Sequence, residues 1–177
     1  GSLANLTALL TARSIVDSNA WEDGISKNHV FFTPSTSHYS VHRAISIMGY
    51  GEQSIWPVKT LDDGVMDADQ LSPLFSRACN EGKKILAVTC NACATATGLY
   101  DPINEVGQFC KENGLWFHVD GAHGASVALS KDYRHYLNGI ENANSVIWDM
   151  HKMLQTSALC AAVLFQKKEH ERQAFEQ

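Results

Sequence analysis

The stretch that most constrains this chain is WFHVDGAHG, residues 116–124. An apolar run rich in β-forming residues ends on one acidic residue, Asp120, followed by Gly121, Ala122, His123 and Gly124. That is the pattern of a buried strand delivering a single carboxylate to the C-terminal edge of a sheet, and in open α/β sheets that edge is where ligands sit. A second stretch, SVIWDMHK at residues 145–152, repeats the design: apolar first, then charged and titratable. Two strands that bring an aspartate and a His-Lys pair to one edge point to a cofactor site. The plainer alternative is two ordinary strands with solvated ends.

The rest of the chain alternates around this pair. Leu3, Leu6, Leu9, Leu10 and Ile15 follow helical spacing, which predicts a helix to about Val16 with Ser2 as its N-cap. A glycine and a serine at a helix start gather backbone N–H groups and a hydroxyl, which suits a phosphate as well as a plain cap. Residues 29–33, HVFFT, read as a short strand closed by Pro34-Ser35-Thr36-Ser37. A helix opens near His38, where Val41, Ala44, Ile45 and Met48 share a face before Gly49 and Gly51, leaving His38 at a loop-to-helix junction. Residues 54–60 read as an edge strand, since Pro57 cannot donate to a ladder.

Asp67 then starts a helix with Leu71, Leu74, Phe75 and Ala78 on one face and Gly82 beyond its end. Residues 85–90, ILAVTC, form a near-continuous apolar run, the pattern of a strand buried on both faces. A polar loop at 91–98 leads to Asp101-Pro102, read as a cap with proline at the first helical position. Ile103, Val106 and Phe109 carry the next helix to Gly114. Residues 131–144 are polar and helix-prone, and a last strand at 159–165 precedes QKKEHERQAFEQ, which reads as the start of a further helix. Strand-helix alternation implies right-handed βαβ crossovers, hence an α/β fold with a mostly parallel sheet and helices on both faces, a three-layer αβα architecture.

Length and charge narrow the partners. At 177 residues the chain fits one domain, and 45% apolar with 19% charged residues is a globular composition. A net charge of -5 argues against nucleic acid or an anionic membrane surface. No apolar run approaches the roughly 18 residues a bilayer requires, and no basic segment precedes an apolar one. Five cysteines, Cys79, Cys90, Cys93, Cys110 and Cys160, are an odd number, which reduced thiols in a cytoplasm explain better than disulfides.

The chemistry follows by comparing constellations. Cys90 and Cys93 form a CxxC, but no second pair completes a zinc set and the motif ends a strand instead of opening a helix, so no metal is expected. Ser37, His38 and Asp120 could make a hydrolytic triad, yet no G-x-S-x-G elbow occurs; nor does a G-x-G-x-x-G follow any strand. A lysine after a histidine at a strand end, an aspartate on a neighbouring strand and a Gly-Ser helix start remain. Those are the parts that pyridoxal phosphate needs. Its aldehyde is held covalently by a lysine amine, for which Lys152 is best placed. Its ring nitrogen stays protonated beside a buried carboxylate such as Asp120. Its phosphate wants a helix N-terminus with further donors, available from Gly1, Ser2 and His151. Its ring wants a flat partner on one face and a small residue on the other, roles open to His38 and Ala122.

These segments resemble the group II pyridoxal-phosphate-dependent amino-acid decarboxylases, which include glutamate, cysteine sulfinate, aromatic-amino-acid and 2,4-diaminobutyrate decarboxylases. GSLANLTALLTAR resembles the family's phosphate loop and following helix, and SHYSVHRA its ring-stacking histidine segment. HVDGAHGA resembles its pyridine-aspartate strand, and LNGIENANSVIWDMHKM its lysine strand. The match runs through the whole chain in the family's order. It implies the large domain of a fold-type I enzyme, with pyridoxal 5'-phosphate as cofactor. It implies that Lys152 binds the cofactor covalently, Asp120 pairs with the ring nitrogen, His38 stacks on the ring and Ala122 packs behind it. Gly1, Ser2 and His151 then hold the phosphate, and Thr95 lies beside cofactor or substrate.

The chain departs from the family in three places: Cys93-Ala94-Thr95 stands for the usual Gly-Thr-Thr, Asp149-Met150 precedes His-Lys instead of Asn-Pro, and His123 replaces an aromatic residue. The resemblance further implies a large-domain core, residues 1–177, without the segment ahead of the phosphate loop or the small C-terminal domain. The implied function is α-decarboxylation of an L-amino acid, and tyrosine after the stacking histidine resembles the glutamate and cysteine-sulfinate branch, favouring an acidic or short substrate. Another fold-type I activity such as transamination, or a non-catalytic truncated module, are the alternatives. The implied setting is a cytoplasmic homodimer with a small amino-acid substrate and neither nucleic acid nor membrane as partner.

Overall fold

In the computed structural model, which describes residues 1–175, the apolar run at the middle of the chain is strand β3 (Lys84–Asn91), buried at every position but Lys84. A strand with no exposed side needs neighbours on both edges and cover on both faces. Its neighbours are β1 (His29–Pro34) and β4 (Phe117–Asp120), both parallel to it. Strand β2 (Ile55–Val58) pairs beyond β1 and β5 (Ser145–Asp149) beyond β4, again parallel. Strand β6 (Ala161–Phe165) runs antiparallel to β5 and completes the order β2-β1-β3-β4-β5-β6. Pro57 therefore sits in an edge strand, where a missing donor is tolerated.

The faces are covered by helices of different origin. Helices α1 (Ser2–Val16) and α2 (Tyr39–Ile47) supply Leu9, Ala12, Val41 and Ile45 to a cluster that takes Phe31 from β1. Helices α3 (Leu71–Asn80) and α4 (Ile103–Asn113) supply Leu71, Ile103 and Val106 to a second cluster that takes Val30 and Phe32. Alternation along β1 thus separates the two cores, and truncating a fully buried ring such as Phe31 or Phe32 to alanine would cost about 3–5 kcal/mol. Strand β3 breaks the alternation, with Leu86 and Ala87 both in the first cluster. The pairing jumps there from Val30–Ile85 to Phe31–Ala87, so a bulge absorbs the extra residue. A final helix, α5 (Lys168–Phe175), packs on α1 and brings His170 against the Trp116 ring.

The sequence reading and the structure part company at element ends. Gly1, not Ser2, is the N-cap of α1, and Ser2 is its first residue. Asp67 caps a 3₁₀ turn, Ala68–Gln70, that leads into α3. Asp101 does not cap α4, whose N-cap is Pro102. Its buried carboxylate instead accepts from the backbone N–H of Met66 at 2.9 Å and of Asn91 at 2.7 Å, tying the end of β3 to the preceding loop. Burial pushes its pKa up against those two hydrogen bonds. The helix-prone segment 131–144 forms only short 3₁₀ turns, Arg134–Leu137 and Ile140–Asn142, after an earlier one at Gly124–Leu129. Gly139 separates the last two with φ +89°, and a Cβ there would lie 2.8 Å from the Asn104 nitrogen, so the chain turns where a continuous helix cannot.

Candidate active site

Strands β4 and β5 are parallel neighbours, with Asp120 opposite Ile147, so both release their chains at the same edge of the sheet. The start of α1, the loop ahead of α2 and the loop after β3 open there too. Between them lies a cavity of about 250 Å³. Its walls include Gly1 and Ser2 from the start of α1, His38 ahead of α2 and Thr95 after β3. Asp120 and Ala122 come from the end of β4, and His151 and Lys152 from the turn after β5. All eight residues singled out from the sequence meet around one space.

Asp120 is buried and held on both oxygens. Its Oδ2 accepts from the Asn5 side-chain amide at 2.9 Å, and its Oδ1 accepts from the backbone N–H of Ala122 at 3.2 Å. Gly121 makes the sharp exit from β4 possible, since a Cβ there would lie 2.7 Å from the Ile147 carbonyl and 2.8 Å from the Ala125 methyl. His118 shares the Asp120 face of the strand but does not touch the carboxylate. Its Nε2 donates to Asn5 Oδ1 at 2.8 Å, and its Nδ1 lies 2.8 Å from Ser145 Oγ. Complete burial lowers its pKa to about 4, the attraction of Asp120 only partly opposing that shift.

His38 caps α2: its Nδ1 accepts from the Ser40 N–H at 3.3 Å and lies 2.7 Å from Ser40 Oγ. At the far wall the pattern changes from hydrogen bonds to charges. Asp149, 1% exposed, has its Oδ2 3.3 Å from Lys152 Nζ and 3.8 Å from His151 Nε2. Its Oδ1 lies 2.7 Å from the Gly1 nitrogen. A Cβ on Gly1 would approach Asp149 Oδ2 to 2.7 Å, so a side chain there would have to displace the Asp149 carboxylate. His151 also places Nδ1 2.7 Å from the Cys160 carbonyl, which fixes the ring.

The two cysteines of the CxxC are split between environments. Cys90 is wholly inside the core, 3.8 Å from Met66 Sδ, while Cys93 lines the cavity. Burial raises both thiols, and Tyr100, hydrogen-bonded to Cys93, is pushed up to about 12 chiefly by burial. Tyr100 Oη donates to the Gly124 carbonyl at 3.0 Å, bracing the loop that follows Asp120.

Further cavity residues went unselected in the sequence: Asn5, Ser40, Asn91, Cys93, His123 and Asp149. Three of these, Cys93, His123 and Asp149, stand where the chain departs from the family pattern. Asn5 had a readable signal, three residues after Ser2 and so on the same face of one helix.

The profile of the pyridoxal-dependent decarboxylase conserved domain matches residues 1–176. The chain is 36% identical over 166 residues to the acidic amino acid decarboxylase GADL1 of Xenopus tropicalis, covering 93% of this chain and 32% of that protein. It is 37% identical over 165 residues to an L-aspartate decarboxylase of Metarhizium robertsii, covering 93% of this chain and 33% of that one. The crystal structure of mouse CSAD superimposes with a TM-score of 0.96 at 32% identity, over 100% of this chain and 38% of that chain. The chain therefore spans about a third of the length of the curated relatives it matches.

Proposed function

The chain belongs to the pyridoxal-dependent decarboxylase family, and from that premise we propose that its cavity seats pyridoxal 5'-phosphate and serves the α-decarboxylation of an acidic L-amino acid. The observation that carries this reading is the meeting of Lys152, Asp120, His38, Ala122 and the Gly1-Ser2 helix start around one cavity. The donor set suits the cofactor: an amine for its aldehyde, a buried carboxylate for its ring nitrogen, and a helix start with a glycine N-cap for its phosphate. When bound, the cofactor supplies an electron-accepting ring for the pair released as CO2 departs.

The residues divide that work. Lys152, 3.3 Å from Asp149, is the amine that would hold the cofactor through its aldehyde carbon. Asp120, fixed by Asn5 and the Ala122 N–H, keeps a proton on the ring nitrogen. His38, fixed by Ser40, and Ala122 both line the cavity and would be the flat and the small partner of the cofactor ring. Gly1, Ser2 and His151 hold the phosphate, aided by the dipole of α1. Thr95 borders the cofactor or the substrate.

Acidic substrates are favoured because the relatives include an acidic amino acid decarboxylase and an L-aspartate decarboxylase. A homodimer in the cytoplasm completes the reading. The test supplies pyridoxal phosphate with L-aspartate, L-glutamate or L-cysteine sulfinate. Release of CO2 and the corresponding amine, with no need for a keto acid, supports the proposal; amino transfer to a keto acid, or turnover of aromatic amino acids only, overturns it.

A further inference from the structure

We infer that Asn5 is a positioning residue whose single side-chain amide orients both the carboxylate and the imidazole that face the cofactor. The inference rests on the cofactor reading above but on a separate set of contacts. Asn5, Ser40, His118 and Ser145 are each no more than 2% exposed, so none of their polar atoms can rely on solvent.

The Asp120 carboxylate, which can only accept, turns the Asn5 NH2 toward itself and the Asn5 oxygen toward His118, and the bonds at the other end agree with that. Trp116 Nε1 can only donate, and Ser145 Oγ accepts from it at 3.0 Å. The Ser145 hydroxyl hydrogen is then free to turn to His118 Nδ1, 2.8 Å away. A histidine that accepts on Nδ1, and that burial keeps neutral, carries its proton on Nε2. That N–H donates to Asn5 Oδ1, so the Asn5 NH2 must face the other way.

There it donates twice, to Asp120 Oδ2 at 2.9 Å and to Ser40 Oγ at 3.0 Å. Ser40, having accepted, gives its own hydroxyl hydrogen to His38 Nδ1 at 2.7 Å, which leaves the His38 proton on Nε2. Rotating the Asn5 amide by half a turn would set its oxygen against the Asp120 carboxylate and its NH2 against the His118 N–H. Both clashes forbid it. A chain that starts at a tryptophan thus ends on two cofactor-facing groups, and Asn5 is where it forks.

Two measurements test this. The first is the ¹⁵N spectrum of His118 in the cofactor-free chain at pH 7, where the Nε2–H tautomer is expected. This needs no variant, and an Nδ1–H tautomer or a doubly protonated ring overturns the inference whatever the cofactor does. The second is the affinity for pyridoxal phosphate. Asn5→Asp keeps the shape but replaces the NH2 with an acceptor, and loss of such an outer partner is expected to weaken binding by about 10- to 100-fold. His118→Gln, which retains a donor for Asn5 Oδ1, should stay close to wild type. Binding by Asn5→Asp as tight as wild type, or equal losses in both variants, would overturn the role. Failure of the wild-type chain to take up cofactor would instead remove the cofactor reading, while the tautomer result would still judge the network.

Discussion

Strands β4 and β5 lie side by side and end at the same edge, yet their last residues are held in opposite ways. Asp120 is fixed by neutral donors within a closed hydrogen-bond network that reaches Trp116. Asp149, at the end of β5, lies beside Lys152 and His151, which are charged or chargeable, and its other oxygen is 2.7 Å from the Gly1 nitrogen. The first arrangement needs no rearrangement, because its members already have hydrogen-bond partners. The second must open, since Lys152 cannot both pair with Asp149 and react. One wall of the cavity is preorganised and the other is poised to rearrange, a division suited to a site that holds a ring still while a lysine is engaged and released.

The sharpest way to break the comparison is at the mobile wall. Lys152→Ala should abolish the visible absorption band formed with pyridoxal phosphate and the borohydride-fixed adduct, read by peptide mass. A stable adduct on another lysine, with Lys152→Ala unaffected, would sink the assignment. The fixed wall predicts a different failure. Asp120→Asn should still take up some cofactor, because no covalent bond is lost, while decarboxylation falls by orders of magnitude. A nearby carboxylate favours a protonated ring nitrogen by about 1–3 pKa units, so NMR of that nitrogen should report deprotonation in the variant; an unchanged pyridinium would rule the role out.

The two walls were not equally legible in the sequence. Both strand ends could be read because apolar runs stop abruptly on charge, at Asp120 and at Asp149-Met150-His151-Lys152. The helix ends could be read where backbone geometry demands one residue type, as at Gly114, which closes α4 at φ +65°. The network behind Asp120 was not legible. Helical spacing places Asn5 on the Ser2 face, but it lies 115 positions from Asp120 and nothing local marks the distant carboxylate as its partner. Strand alternation puts His118 on the Asp120 face, yet its partner, Asn5, comes from a helix 113 positions away that no local pattern ties to the strand. Asp101 misled for the same reason: Asp-Pro before a helix is a good local cap signal, and tertiary partners at Met66 and Asn91 claimed its carboxylate.

The fixed wall also predicts how stability depends on pH. An unfolded chain protonates His118 near its ordinary value of about 6.5, whereas the folded chain resists until about 4. Between those values the unfolded state binds more protons, so stability rises with pH across the window, is fully present above it and is lost on the way down. The difference is worth about 3 kcal/mol in order of magnitude. His29 and His170, also lowered mainly by burial, add in the same direction, while Asp101, raised by burial, acts oppositely at the acid end. Urea midpoints should therefore fall from pH 7 to pH 5, and His118→Gln should flatten that slope. An unchanged slope in the variant would place the titration elsewhere.

The smallest effect is expected at Asp149, and it tests whether the second wall is truly poised to open. Lys152 Nζ is 3.3 Å from Asp149 Oδ2 but its side chain is 35% exposed, so water screens the pair and its contribution is about 1 kcal/mol at most. Breaking it is a step the lysine must take before it can engage an aldehyde. Asp149→Asn keeps the shape of the side chain and still offers an oxygen to the Gly1 nitrogen, but removes the charge that holds the amine. Cofactor uptake, followed by stopped-flow absorbance, should accelerate by up to about fivefold, the rate equivalent of that energy. Because the pair is partly solvated, added salt should speed the wild type toward the variant and leave the variant nearly unchanged. Slower uptake in Asp149→Asn would mean that the carboxylate guides the lysine, and both walls would then count as fixed.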